Sequence, residues 1–401
     1  MISNNSRPRS IDLGLEMGIL PKGKLNSITD VPGVKVGHST IIEGDGELDI
    51  GKGPIRTGVT AILPHDKNVY ENNVTASAHV INGYGKTVGI PQIKELGRME
   101  SPILLTSTLS TWKVADYLID YLSEKNPGVR SFNPVVGECN DGFLNDIVGR
   151  HITKSHVLNA IEHASENEFS EGVVGAGVGM TGFGWKGGIG TSSRIVGTNP
   201  AHLLDRGSIA QGEFTIGCLT LTNTGDARDL RFDGIPIGRH ILPPGYEDEK
   251  NPSKWIGGDP LKGTFLKDSK EPPGSIMIVI ATDAPLSSRQ LNRLAKRVGL
   301  GLGLAGGTAS HSSGDFVIAF SNSEYNKNES GDDKYKVNQL SDNNLSNLFR
   351  GVIETTNESI INSILKAETV TGINGNTRHA IPIDKIIPIL EQSRATKNKD
   401  K

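Results

Sequence analysis

EPPGSIMIVIATDAPLS, Glu271 to Ser287, sets Ser275 between a Pro-Pro-Gly turn and an uninterrupted apolar run. SIMIVIAT (Ser275 to Thr282) has strand length and is bounded by turn residues. Because it is apolar at nearly every position instead of alternating, both of its faces must be covered, by helices or by a second sheet. GVTAILPH (Gly58 to His65), SPILLTST (Ser101 to Thr108), FTIGCLTLTN (Phe214 to Asn223) and DFVIAFSN (Asp315 to Asn322) repeat the pattern. These runs predict a layered α/β fold with a buried sheet. A serine that opens such a strand either finishes a turn or is a nucleophile mounted on a rigid element.

Helical periodicity appears on either side of these runs. SSRQLNRLAKRVGLGLGLA from Ser287 puts Leu291, Leu294, Ala295, Val298 and Leu302 on one face, with Ser287 and Gln290 spaced as a capping box. A second helix is predicted from about Asn344 through Leu365, and a third over Thr111 to Leu122. Residues 245–273, polar and rich in Pro and Gly, read as a long loop feeding straight into the strand at Ser275. Residues 323–344 read as a polar surface insertion and 393–401 as a disordered tail.

Composition narrows the function. The 401 residues carry 42 Lys and Arg against 45 Asp and Glu, a net charge of -3, with no basic face to suggest nucleic acid or an anionic membrane. No stretch approaches the roughly 18 apolar residues of a spanning helix, and the first 20 residues lack a signal-peptide core, so a soluble cytoplasmic protein is expected. Two cysteines, Cys139 and Cys218, are too few for a disulfide framework or a zinc cage. The ten histidines form no metal motif, His311 alone lying near a candidate site, so neither a metal nor a cofactor is expected. Glycine, 49 residues, is in excess and implies tight turns and close backbone contacts. In GAGVGMTGFGWKGGIG (Gly175 to Gly190) the GVGMTG match to a dinucleotide fingerprint lacks the following helix, because FGWKGGIGTSSRIV reads as turn and strand; GLGLAG at Gly301 ends a helix instead of starting one.

There is no GxSxG elbow and no serine-histidine pairing, so a serine nucleophile needs another base. Its own α-amine serves if the chain is cut just before it, since such an amine has a pKa of about 7.7 to 8.0 and can accept the hydroxyl proton. Gly274 precedes Ser275; lacking a Cβ, it can take an unusual conformation and expose its carbonyl. Ser313 and Asp315, two apart at a strand entry, could together hold the Ser275 amine and hydroxyl, or simply make a turn. Asn223 ends a strand, where its amide could donate to an oxyanion or cap a turn. Glu138, Asn140 and Asp141 lie in a further turn, where a carboxylate could pair with a substrate ammonium.

Taken together, ITDVPGVKVGHST, VINGYG, ILLTSTLS, VVGECNDGFLND, GAGVGMTGFGWKGGIGTSSRIV, LTNTGDARDLRFDGIPIG, GSIMIVIATDAPL, GLGLAGGTASHSSGDFVIAF and AETVTGINGN, in this order, resemble the DmpA family of self-processing aminopeptidases. The resemblance implies one αββα domain, two β-sheets between helix layers, cut between Gly274 and Ser275 into chains 1–274 and 275–401 that stay together. It implies Ser275 as nucleophile, Asn223 as oxyanion donor, Ser313 and Asp315 as its supports, and Glu138 as the acid that holds the substrate's free amine. Asn140 stands where some relatives have tyrosine. The implied substrate is a short peptide, amide or ester with a free amine, and the implied assembly a homo-oligomer of processed pairs. An endo-acting amidase, an acyltransferase of the ornithine acetyltransferase type, whose nucleophile is threonine, and an uncleaved scaffold remain as alternatives.

Overall fold

The computed structural model describes residues 7–197, 213–246, 274–324 and 339–399. In chain order the strands are β1 (Lys35–Glu43), β2 (Ile55–Leu63), β3 (Val74–Gly83), β4 (Arg98–Met99), β5 (Ile103–Ser107), β6 (Val135–Cys139), β7 (Thr181–Gly182), β8 (Trp185–Lys186), β9 (Gly188–Gly197), β10 (Glu213–Asn223), β11 (Gly274–Thr282), β12 (Ser313–Ser321), β13 (Val370–Thr371) and β14 (Thr377–Arg378). The α-helices are α1 (Ile90–Leu96), α2 (Thr111–Lys125), α3 (Lys154–Glu162), α4 (Ser288–Ala295), α5 (Val298–Ala305), α6 (Leu345–Leu365) and α7 (Ile383–Lys399). Two sheets carry the architecture, one of four strands in the order β1-β2-β5-β6 and one of six in the order β4-β3-β12-β11-β10-β9.

The apolar runs are apolar throughout because each strand sends alternate side chains into different layers. From β11, Met277, Val279 and Ala281 point between the sheets, where they meet Val36, Ile62, Ile103, Leu105 and Val135 of the smaller sheet. Ile276, Ile278 and Ile280 point the other way, onto Leu291, Leu294, Val298, Leu302, Val352 and Ile360 of α4, α5 and α6. On the far side of the smaller sheet, Ile41, Val59, Ala61 and Leu104 pack on Val114, Leu118, Val157 and Ala160 of α2 and α3. Helix, sheet, sheet, helix is therefore the layer order, as expected.

Several elements differ in detail. The helix expected from Ser287 to Ala305 is two: Ser287 caps α4 through the Gln290 capping box, the chain turns at Lys296 and Arg297, and α5 ends on left-handed Gly306. The fingerprint-like GVGMTG leads into the β7-β8 hairpin and β9, and no helix opens after it. The stretch 393–401 was expected to be disordered, yet α7 runs to Lys399; Ile386 and Leu390 are anchored in the core, and a nucleated helix extends cheaply over residues such as Ala395 and Lys397. Most of the polar loop (247–273), much of the expected insertion (325–338) and residues 400–401 lie outside the described residues. Among the described residues no helix is long and apolar enough to cross a membrane.

Candidate active site

The antiparallel pairing of β10 with β11 sets Asn223 directly opposite Ser275. Both belong to the set of odd-numbered positions whose side chains face the interlayer, like Leu221 and Met277. The Asn223 amide Nδ2 donates to the Ser275 Oγ at 3.2 Å and to the Asn140 carbonyl at 3.1 Å. Its Oδ1 accepts the Thr181 N–H at 2.7 Å, which fixes which end of the amide faces the serine. Thr181 is there because the glycine run lets the β7-β8 hairpin lie against the end of β10: a Cβ on Gly187 would overlap the Thr222 carbonyl.

On the other side of β11 the parallel partner is β12, in the register Gly274 to Ser313 and Ser275 to Gly314. The Ser313 hydroxyl donates to Asp315 Oδ1 at 2.6 Å, so the two side chains do point together. Ser313 and Asp315 are fully buried and Ser275 nearly so. Burial pushes the Asp315 carboxyl up to about 6, against the Ser313 hydrogen bond. Its Oδ2 has no hydrogen-bond partner among the described residues.

Gly274 corrects one expectation: it is ordinary extended strand and not a strained conformation. Crowding is what requires glycine, because a Cβ there would stand 2.9 Å from Thr224 Oγ1 and 3.1 Å from the Ser313 Oγ.

Glu138, at the end of β6, is buried. Oε1 accepts the Lys86 N–H at 2.9 Å and Oε2 accepts the Thr108 hydroxyl. Burial raises its pKa, opposed by both hydrogen bonds and the Lys86 charge. Asn140 is exposed, and its side-chain oxygen accepts the Gly142 N–H at 2.9 Å, which makes it a turn cap. Asp141 is turned away into the interior, where it accepts from Thr57 and Asn145 and burial lifts its pKa to about 7. A hydroxyl, an amide donor, a buried hydroxyl-carboxylate pair and a second buried carboxylate thus converge from β6, β10, β11 and β12. That set can carry acyl transfer through a serine.

Residues 26–378 match Peptidase family S58. The chain belongs to peptidase family S58. It is 40% identical over 389 residues to the beta-peptidyl aminopeptidase BapA of Sphingosinicella xenopeptidilytica, covering 96% of this chain and 91% of that one. The crystal structure of the PH0078 protein from Pyrococcus horikoshii OT3 is 43% identical with a TM-score of 0.82, over 96% of this chain and 99% of that one. The L-aminopeptidase D-Ala-esterase/amidase from Ochrobactrum anthropi, a variant of the Ntn hydrolase fold, is 30% identical with a TM-score of 0.81, over 96% and 99%. This S58 chain is an aminopeptidase hydrolase with the N-terminal-nucleophile fold, as the DmpA resemblance implies.

Other residues around Ser275 are not evident from sequence. Cys139 lies on the interlayer face of β6; its thiol donates to the Leu221 carbonyl at 3.5 Å and is raised well above its ordinary pKa by burial and by the Glu138 and Asp315 charges, with Ser275 opposing. Val135 and Cys139 share one strand face, and that period of two was the available signal. Thr108, Thr181 and Thr224 have no signal of their own, since only the folded register brings them to Glu138, Asn223 and Gly274. Asn82 also supports the site: its amide donates to the carbonyls of Ser310, His311 and Ser313, so it holds the turn that carries Ser313.

Proposed function

We propose that this S58 protein is a self-processing serine aminopeptidase in which Ser275 becomes the N-terminal nucleophile. The observation that carries this reading is the Asp315 carboxylate, buried beside Ser313 with Oδ2 lacking a partner among the described residues. Such an oxygen is costly to bury unpaired. Cutting before Ser275 replaces a peptide N–H with an ammonium, supplying donors and charge at the strand end that pairs with 313–315.

In the precursor the Ser275 Oγ attacks the Gly274 carbonyl carbon. The C–O bond forms, the Gly274–Ser275 C–N bond breaks, and the departing amine takes the hydroxyl proton. Water then hydrolyses the ester, giving chains 1–274 and 275–401. In the mature enzyme the α-amine accepts the hydroxyl proton as Oγ attacks the carbonyl that follows a substrate's N-terminal residue. Asn223 Nδ2 donates to the oxyanion, the proton passes to the leaving amine, and water releases the acyl group. Glu138, held by Lys86 and Thr108, takes the substrate's free ammonium, with Asn140 at the outer rim. Substrates are short peptides, amides or esters, and the beta-peptidyl aminopeptidase relative makes N-terminal β-residues the first to try.

Two buried free thiols suit a reducing cytoplasm. Exposed Leu300 and Leu304 on α5 suit a homo-oligomer of processed pairs, which light scattering tests against a single pair. Intact-mass analysis tests the cut: fragments 1–274 and 275–401 are expected, and a chain that stays whole on prolonged incubation overturns self-processing. Ser275→Ala is expected to remain uncut and inactive. Acylating the amine of a good substrate should abolish turnover, whereas retained turnover would mean an endo-acting amidase.

A further inference from the structure

Lys186 is fully buried, yet among the described residues no carboxylate pairs with it. Its Nζ donates to three backbone carbonyls, Gly177 and Met180 at 2.9 Å and Gly187 at 2.7 Å. Burial and the nearby Arg378 push its pKa well down, while Asp141 pushes it back. The geometry decides its state: three acceptors need three N–H donors, which only the ammonium has, and a neutral amine would aim its lone pair at a carbonyl oxygen. Holding a turn together does not itself need a charge. Glycine backbones satisfied by water or by an amide side chain would serve.

The position of Met180 gives the charge a use. Its carbonyl, which also accepts the Gly187 N–H at 3.0 Å, belongs to the same peptide unit as the Thr181 N–H. That N–H donates to Asn223 Oδ1 at 2.7 Å, and Asn223 Nδ2 donates to Ser275 Oγ at 3.2 Å. The series therefore runs from the Lys186 ammonium through the Met180–Thr181 peptide and the Asn223 amide to Ser275. In each amide, positive charge at the oxygen end draws electron density away from the N–H end, and in a dry interior such polarisation adds along the chain.

We propose that Lys186 is a positioning residue that polarises the Asn223 side-chain amide through the Met180–Thr181 peptide, strengthening the donor that meets the oxyanion in both self-cleavage and turnover. The proposal rests on Asn223 acting as the oxyanion donor. A charge fixed behind the donor acts most strongly when negative charge develops in front of it, so its effect falls on kcat and not on KM.

The test is a double-mutant cycle in the full-length protein. Lys186→Met and Asn223→Ala are made singly and together, kcat and KM are measured on an aminoacyl p-nitroanilide, and each rate is normalised to processed protein by intact mass. Lys186→Met should lower kcat about tenfold to 50-fold with KM within about twofold, and slow self-cleavage in parallel. In the Asn223→Ala background the same substitution should cost less than about threefold. Lys186→Arg, which keeps the charge, should recover most of the rate. An equal loss with and without Asn223, or an unchanged kcat in Lys186→Met, overturns the proposal alone. Full activity in Asn223→Ala by itself overturns the oxyanion reading, and the proposal with it.

A measurement on the unaltered Lys186 covers variants that do not fold. In protein labelled with 15N-asparagine, the Asn223 amide is identified by its absence from Asn223→Ala. Its Nδ2 protons should resonate downfield of the other asparagine amides, and a shift inside their range overturns the proposal.

Discussion

Asn223 meets Ser275 because β10 and β11 are paired in one register and no other, so the amide should matter about as much as any single donor can. Asn223→Ala is expected to lower kcat about 100- to 1000-fold, checked on processed protein. Asp315 supports a pH prediction in the uncut Ser275→Ala chain. Burial raises its folded pKa to about 6, while an unfolded aspartate titrates near 4. Below the unfolded value both states hold the proton and there is no effect. As pH rises through 6, the folded state must surrender a proton that burial favours, and stability is lost. Asp315→Asn on that background should therefore be equally stable at pH 4 and more stable at pH 7, by up to about 3 kcal/mol, read from denaturant unfolding. Glu138 is raised for the same reason, so KM for amine substrates should climb as the pH falls through its titration. At this scale the sequence is legible where a residue sits at a strand end: Ser275, Asn223 and the Ser313-Asp315 pair are all of that kind. Cys139, Thr181 and Lys186 also stand at strand ends, but those strands are short and the relation of these residues to the serine exists only through the sheet register and a glycine turn.

The elements divide in the same way. β2, β5, β10, β11 and β12 are legible because both faces are buried in apolar layers. β9 is harder, since Thr191, Ser192, Ser193 and Arg194 are buried polar residues with partners far away in sequence. Arg194 pairs with Glu354 and Glu358 of α6, and the Ser192 hydroxyl donates to the Thr355 carbonyl. The long helix comes this close because β9 offers it glycine: a Cβ on Gly190 would overlap the Ser359 carbonyl oxygen and stand 2.6 Å from the Ser363 nitrogen. Gly301 of α5 does the same on another side, where a Cβ would come within 2.7 Å of the Ile353 carbonyl. Gly190→Ala must displace helix backbone instead of a side-chain tip, and is expected to destabilise by about 1–3 kcal/mol, measured as a lower denaturant midpoint in the Ser275→Ala chain. The α4-α5 break had no sequence signal at its turn, because Lys296 and Arg297 are good helix formers.

At the scale of the whole molecule, the proposed cut falls between strands that are neighbours. The six-stranded order β4-β3-β12-β11-β10-β9 places β11 and β12, which belong to the 275–401 piece, in the centre, with β3 on one side and β10 on the other contributed by the 1–274 piece. The amino-terminal segment adds a second tie, since the Arg7 guanidinium donates to the Leu365 and Ile381 carbonyls and the Ser10 hydroxyl to Glu358. The two pieces should co-elute in size-exclusion chromatography and separate only in denaturant. Neither piece holds the complete six-stranded sheet, so that central placement changes the molecularity of unfolding. An uncut Ser275→Ala chain melts as one body, whereas a processed molecule melts into two, and its midpoint should rise with protein concentration more steeply than that of the uncut reference. Refolding then becomes a search between partners where it had been a closure within one chain. A single hydrolysed bond would convert a reversible fold into one that persists chiefly because it unfolds slowly.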